Sequence, residues 1–216
     1  MDILDPRITR YLADLVPAAD PVRAEMERLG AERNFPIIGP IVGNLCATMA
    51  LTIGARRIFE MGSGFGYSTL WFARAVGPGG IVVHTEGSAD NSRQAREFLK
   101  EAGLESRVRF EVGDAREILD AEIERGVLMP LDVLFNDIDK EQYPGVLERA
   151  RAALRPGGLL ICDNMLWSGS VLKKPPHDET TAGIVELTRL LKEADDFVTT
   201  LIPIRDGVTI SLKTGA

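Results

Sequence analysis

From Ala55 onward, short apolar runs alternate with longer segments whose apolar residues recur at helical spacing. Five runs read as strands: Arg57–Met61, Ile81–Thr85, Val108–Val112, Leu131–Asn136 and Leu159–Asp163. Helical stretches separate them near Ser68–Val76, Ser88–Ala102, Ala115–Arg125 and Gln142–Leu154. Gly77-Pro78-Gly79-Gly80, Gly103 and Pro156-Gly157-Gly158 each follow a helix, where glycine ends it at little cost. Strands alternating with helices predict parallel βαβ units in an α/β, doubly wound sheet. Near the end, Val198–Ile204 and Val208–Lys213 flank Arg205-Asp206-Gly207, and Asp-Gly between two β-rich runs signals an antiparallel hairpin. The expected sheet is therefore mostly parallel and seven-stranded, with that hairpin at its end.

Residues 1–54 read as additional N-terminal helices ahead of a 55–216 α/β core, the whole 1–216 forming one domain. Asp5-Pro6 and Asp20-Pro21 each place a capping side chain before a proline at the first helical position. Asn34 to Ala55 carries no charge and is long enough to span a bilayer. Pro36, Gly39, Pro40, Gly43 and Asn44 crowd its first half, so it reads instead as a loop opening a short buried helix over about Ile41–Ile53. No membrane partner is expected.

The 216 residues carry 25 basic and 32 acidic side chains, a net charge of −7. That balance argues against gripping nucleic acid or an anionic membrane surface and favours a small-molecule ligand. Cys46 and Cys162 sit in apolar runs, outside any metal-ligand spacing, and read as free thiols of a reducing cytoplasm.

The first strand runs into Glu60-Met61-Gly62-Ser63-Gly64-Phe65-Gly66-Tyr67-Ser68. Glycines at 62, 64 and 66 let the backbone turn tightly and approach a ligand at a helix N-terminus. A dinucleotide site would place its third glycine where Tyr67 stands. Glu60 would repel a pyrophosphate yet attract a cationic amino acid moiety. Glu86 ends the second strand, where an α/β nucleotide site sets a carboxylate on ribose hydroxyls. A ligand with a ribose, a positive end and no phosphate fits S-adenosylmethionine.

A second constellation closes the later strands: Asn136-Asp137-Ile138-Asp139-Lys140 and Asp163-Asn164. In a doubly wound sheet these strand ends line one crevice. Asp137, Asp163 and Asn164 would offer hard oxygen ligands suited to Mg²⁺. The competing reading makes them helix caps and loop carboxylates, with Lys140 a solvated surface lysine.

Together Glu60–Ser68, Gly113-Asp114-Ala115, Asp137–Lys140, Leu154–Gly158 and Asp163–Val171 resemble the cation-dependent O-methyltransferases, the group of catechol and caffeoyl-CoA O-methyltransferases and their small bacterial relatives. The likeness runs from about Ile38 to Lys213. The glycine turn marks the wider Rossmann-like methyltransferases, whereas Asp-x-Asp-Lys followed by Asp-Asn-x-Leu-Trp is far more specific. The resemblance implies Mg²⁺ (or Mn²⁺ or Ca²⁺) on Asp137, Asp163 and Asn164, with Lys140 as general base. It implies S-adenosylmethionine contacts at Ile38, Glu60, Gly62, Ser63, Ser68, Glu86, Ala115, Asp137 and Asp139, and a substrate contact at Ser168. It also implies a homodimer built through N-terminal helices and core edges. Ile37–Gly43, Asn136 and Gly87-Ser88 depart from the family's usual residues, but no metal ligand is lost.

The expected acceptor is a small aromatic vicinal diol, with Trp167 as a pocket wall and Gly169–Gly183 as a mobile loop beside it. His177 reads as a surface histidine and His84 as packed at the sheet. Two other functions use the same donor site: methylation of a hydroxylated tRNA base, and a non-catalytic module that binds S-adenosylmethionine. The acidic charge disfavours the first, and an intact metal and base set disfavours the second.

Overall fold

A computed structural model describes residues 3–215; Met1, Asp2 and Ala216, the ends of the expected 1–216 domain, lie outside the described residues. Three helices come first: α1 (Pro6–Asp14), α2 (Pro21–Arg33) and α3 (Gly39–Thr52). Asp5 caps α1 by accepting from Arg7 N–H at 2.8 Å, and Asp20 caps α2 by accepting from Val22 and Arg23 N–H at 3.1 and 3.2 Å. Proline fills the first position of each, where its missing N–H costs nothing.

The rest alternates as the apolar pattern predicts: β1 (Arg57–Met61), α4 (Tyr67–Ala75), β2 (Ile81–Glu86), α5 (Ala89–Glu101), β3 (Val108–Val112), α6 (Ala115–Arg125), β4 (Leu131–Asn136), α7 (Val146–Ala153), β5 (Leu154–Cys162), α8 (Glu179–Glu193), β6 (Phe197–Ile202) and β7 (Val208–Lys213). Sheet order is β3-β2-β1-β4-β5-β7-β6. Strands β1 to β5 pair in parallel, and β7 runs antiparallel to both β5 and β6.

Alternate strand residues serve two apolar layers. Ile58, Val82, Val133 and Phe135 pack with α2 to α5, while Phe59, Val83, Leu134 and Leu160 pack with α6 to α8. Each such fully buried side chain contributes about 1.5–3 kcal/mol. Strand β1 has β2 on one side and β4 on the other, so the chain reverses its winding there. Ligands of such sheets bind at that reversal, beyond the carboxyl ends of the strands.

Several expected boundaries move. Helix α8 was not anticipated, and its first turn claims residues 179–183 of the stretch expected to be loop. Thr180, Thr181 and Gly183 are poor helix formers, but Asp178 caps the turn and Ile184, Leu187 and Leu191 bury its apolar stripe. Residues 167–172 make short 3-10 turns broken by a kink at Ser168 and Gly169, whose φ values of 50 and 83 are left-handed, and 173–178 are irregular. The helix expected from Gln142 begins at Val146 after a 3-10 turn over Lys140–Gly145, because Pro144 has no N–H to continue a regular ladder. Strand β5 opens at Leu154 instead of Leu159, through an irregular pairing with β4. The uncharged N-terminal stretch becomes α3, and among the described residues no helix is long and apolar enough to cross a membrane.

Candidate active site

The carboxyl ends of β1, β2, β4 and β5 open into a cavity of about 780 Å³. That falls within the roughly 300–1,000 Å³ of small-molecule sites. Ile38, Gly62, Ser63, Ser68, Glu86, Ala115, Asp137, Asp139, Lys140, Asp163, Asn164 and Trp167 all line it. Two expected members do not. Glu60 lies fully buried behind the wall, and Ser168 is exposed with its N–H donating to Asp206 Oδ1 at 2.5 Å.

The glycine turn shapes one end. Gly62 has φ 81, and a Cβ there would stand 2.6 Å from the Asp137 carbonyl oxygen. Only glycine lets the ends of β1 and β4 come this close. Glu86 accepts from Gly64 N–H and Ser88 N–H, each at 2.9 Å, and from Asn91 Nδ2 at 3.3 Å. Those bonds fix its carboxylate on the wall, with lone pairs to spare for a hydroxyl donor.

Beneath this end lies a layer in which sequence reasoning named Glu60 and His84 but missed Thr69, which joins them. Glu60 and His84 are register partners on β1 and β2, facing α4. Thr69 of α4 bridges them, donating to Glu60 Oε2 at 2.5 Å and lying 3.1 Å from His84 Nδ1. A Thr69 hydrogen given to Glu60 leaves the hydroxyl to accept from His84 Nδ1–H, which assigns the imidazole tautomer. Burial pushes His84 down to about 3, so it stays neutral. Burial pushes Glu60 up to about 7, against hydrogen bonds from Ser68, Thr69 and Ser63 that favour its ionised form. Its Oε1 has no partner among the described residues.

The other end is built by the turns after β4 and β5. Lys140 Nζ donates to Asp137 Oδ1 at 2.7 Å and to the Ile138 carbonyl at 3.0 Å. It is nearly buried, with the Tyr143 and Trp167 rings at 5.1 and 5.9 Å, so the solvated-lysine reading fails. Tyr143 donates to the Asp163 carbonyl at 2.8 Å and ties this turn to the end of β5. Asn164 then turns the chain with φ 59, a left-handed conformation that asparagine tolerates.

Asp163 is buried, and neither carboxylate oxygen has a hydrogen-bond partner among the described residues. Burial, and then the charge of Asp137, raise its pKa; Arg205, with Nη1 3.7 Å away, opposes them. Burial also raises Asp137, although Lys140 pulls the other way. An orphaned buried carboxylate beside a second one is a costly arrangement that a hard cation would relieve. Two carboxylates and the amide of Asn164 on one cavity wall suit such a cation. Among the described residues no group of three or more His, Cys, Asp or Glu side chains gathers to hold a metal, this wall included, where two carboxylates stand with an amide as the third donor. His177 is exposed and pairs with Asp178 at 2.9 Å.

Comparison with known proteins places the chain's sequence and fold among O-methyltransferases. The family model for O-methyltransferases matches residues 30–214. A catechol O-methyltransferase of Niastella koreensis is 30% identical over 186 residues, covering 85% of this chain and 84% of that protein. The mouse catechol O-methyltransferase domain-containing protein 1 is 32% identical over 170 residues, 78% of this chain but 64% of that protein. Among solved structures, the O-methyltransferase TomG of Streptomyces achromogenes, in complex with S-adenosylmethionine, superposes with a TM-score of 0.89 at 29% identity, covering 97% of this chain and 96% of that one. An O-methyltransferase of Bacillus cereus in complex with S-adenosylhomocysteine gives 0.87 at 29% identity, covering 96% and 97%.

Proposed function

Because this chain belongs to the O-methyltransferase family and is an S-adenosylmethionine-dependent O-methyltransferase, we propose that it methylates one hydroxyl of a small vicinal dihydroxy aromatic acceptor, with a divalent cation such as Mg²⁺ held by Asp137, Asp163 and Asn164. The observation that carries this reading is the buried Asp163 carboxylate beside Asp137, with no hydrogen-bond partner among the described residues and only the 3.7 Å ion pair with Arg205. When bound, the cation supplies Lewis acidity that lowers a hydroxyl pKa, and the donor supplies its sulfonium methyl group.

The chain's own residues do the rest. Glu86 takes ribose hydroxyls, while Ile38, Gly62, Ser63, Ser68, Ala115 and Asp139 enclose the donor. Ionised Glu60 offsets the donor's ammonium charge. Lys140 Nζ, which now donates to Asp137 at 2.7 Å, is placed to take the acceptor's proton after giving one of its own to solvent. Trp167 walls the ring, and with both reactants held in line, positioning lowers much of the barrier. Ser168, exposed, outside the cavity wall and with its backbone N–H bonded to Asp206, would meet the acceptor through a rearrangement of the 167–172 segment. Residues 173–178, the irregular segment between Trp167 and Thr180 of the wall, would serve as the mobile loop beside the acceptor.

Two further parts of the reading concern the whole chain. A homodimer through the N-terminal helices is supported by Ile8, Tyr11 and Leu15, which α1 leaves exposed. A cytoplasmic setting is supported by two buried free thiols. Sedimentation at micromolar concentration tests the first, with a single-chain mass as the contrary result.

Methyl transfer to 3,4-dihydroxycinnamate and to bulk tRNA, each with and without EDTA, tests the proposal. EDTA-sensitive transfer to the small diol is expected. Transfer to tRNA alone, or none despite donor binding, would overturn it.

A further inference from the structure

The turn between β6 and β7 carries a cation that the proposed chemistry leaves unused. Arg205 adopts φ 50, in the left-handed region that favours glycine. The segment after Asp163-Asn164 holds the turn there: Leu166 N–H donates to the Asp206 carbonyl at 2.8 Å, and Met165 N–H to the Gly207 carbonyl at 2.9 Å. Gly207 permits the contact, since a Cβ there would stand 2.9 Å from the Leu166 nitrogen. The Arg205 side chain crosses the start of α3, where a Cβ on Gly39 would lie 3.5 Å from Nε. It ends on the cavity wall with Nη1 3.7 Å from Asp163 Oδ2.

At that distance the contact is an ion pair without a hydrogen bond. The guanidinium makes no hydrogen bond among the described residues, and its side chain is 38% exposed. Lys140, the other cation on the wall, is already engaged by Asp137 and the Ile138 carbonyl. Arg205 therefore brings a planar fork of unspent donors to the acceptor end. Locally, Asp137 and Asp163 balance Lys140 and Arg205, so a cation on the carboxylates and the donor's sulfonium leave this end positive. Of the remaining acids of the wall, Glu86 ends β2 and Asp114 follows β3, whereas Asp139 and Glu141 share the turn after β4 with this end, and their two charges reduce without cancelling the three that a divalent cation and the sulfonium bring.

We propose that Arg205 determines acceptor specificity by binding an anionic substituent, a carboxylate, on the acceptor's aromatic ring. This rests on the reading of the cavity as the site of a dihydroxy aromatic acceptor, and it names the charge that acceptor carries. A neutral diol leaves the guanidinium facing solvent, whereas a carboxylated one meets it with charge-assisted hydrogen bonds.

The test is calorimetric titration of the enzyme, loaded with Mg²⁺ and S-adenosylhomocysteine, with 3,4-dihydroxybenzoate and with catechol. The wild-type chain is expected to bind the carboxylate at least roughly tenfold more tightly, the order for a hydrogen bond between charged groups. Arg205→Gln should bring the two affinities within about twofold, and Arg205→Lys should keep part of the preference. Equal affinities in the wild type, or an unchanged preference in Arg205→Gln, would overturn the proposal. If Arg205→Gln does not fold, Arg205→Gly replaces it, because glycine accepts this φ. Methyl transfer in the same samples separates the two readings. A carboxylate preference without transfer overturns the acceptor chemistry and leaves Arg205 as an anion site. Transfer without preference overturns the role of Arg205 alone, and failure of both compounds to bind overturns both.

Discussion

Glu60 shows how a single carboxylate links burial to binding. Held near 7 by desolvation, it carries a proton in mildly acid solution that the donor's ammonium must expel. Donor affinity should therefore rise roughly tenfold per pH unit up to about pH 7 and level off above it. In the ligand-free chain the sign is opposite. A folded pKa raised from 4.5 to about 7 gives stability that is full below the lower value and is lost as pH climbs through the upper one. Asp137 and Asp163, also raised, act in the same direction. Glu60→Gln should flatten the pH dependence of donor binding in calorimetry at about pH 6 and pH 8; a slope that survives would contradict the role given to Glu60. Thr69→Val removes a hydrogen bond to the ionised form, so the midpoint should move up by about one unit. The glycine spacing made Glu60 legible in the sequence. His84 was legible as packed at the sheet, which its burial on β2 bears out, but Thr69 and its link between Glu60 and His84 were not, because no periodicity reveals that β1, β2 and α4 bring three polar side chains to one buried point.

Among the elements, α8 governs the lysine turn. A Cβ on Gly183 would collide with the Lys140 carbonyl and stand 3.0 Å from Glu141 Cα. Gly183→Ala should push the 3-10 turn away and cut turnover by about tenfold or more, as a displacement of about 1 Å can. Donor binding, at the other end of the cavity, should change little; equal losses in both assays would show that α8 does not position Lys140. At the glycine turn, Gly62→Ala meets the Asp137 carbonyl and a left-handed φ together, so it should destabilise the fold by about 2 kcal/mol or more in urea denaturation. Sequence periodicity found each sheet strand but not α8, whose threonines and glycine mask a sound apolar stripe. The Arg205-Asp206-Gly207 turn was legible as a hairpin. Its place on the cavity wall was not, because that follows from tertiary hydrogen bonds to Met165 and Leu166.

At the scale of the molecule, the winding reversal between β1 and β4 brings the glycine turn and the acid-rich strand ends to one cavity. The alternation of strands and helices made that architecture readable, since a parallel sheet leaves few ways to order such units. What it could not supply was the state of the carboxylates, which depends on burial and on the distances of Lys140 and Arg205. Division of the cavity into a donor end and a cation end leads to a direct measurement. Mn²⁺ titrated into the S-adenosylhomocysteine complex and followed by electron paramagnetic resonance should fill one site per chain. Asp163→Asn should abolish that site while donor affinity stays within a few-fold. Absence of bound Mn²⁺ in the wild type, or binding that survives Asp163→Asn, would contradict a cation held by Asp137, Asp163 and Asn164.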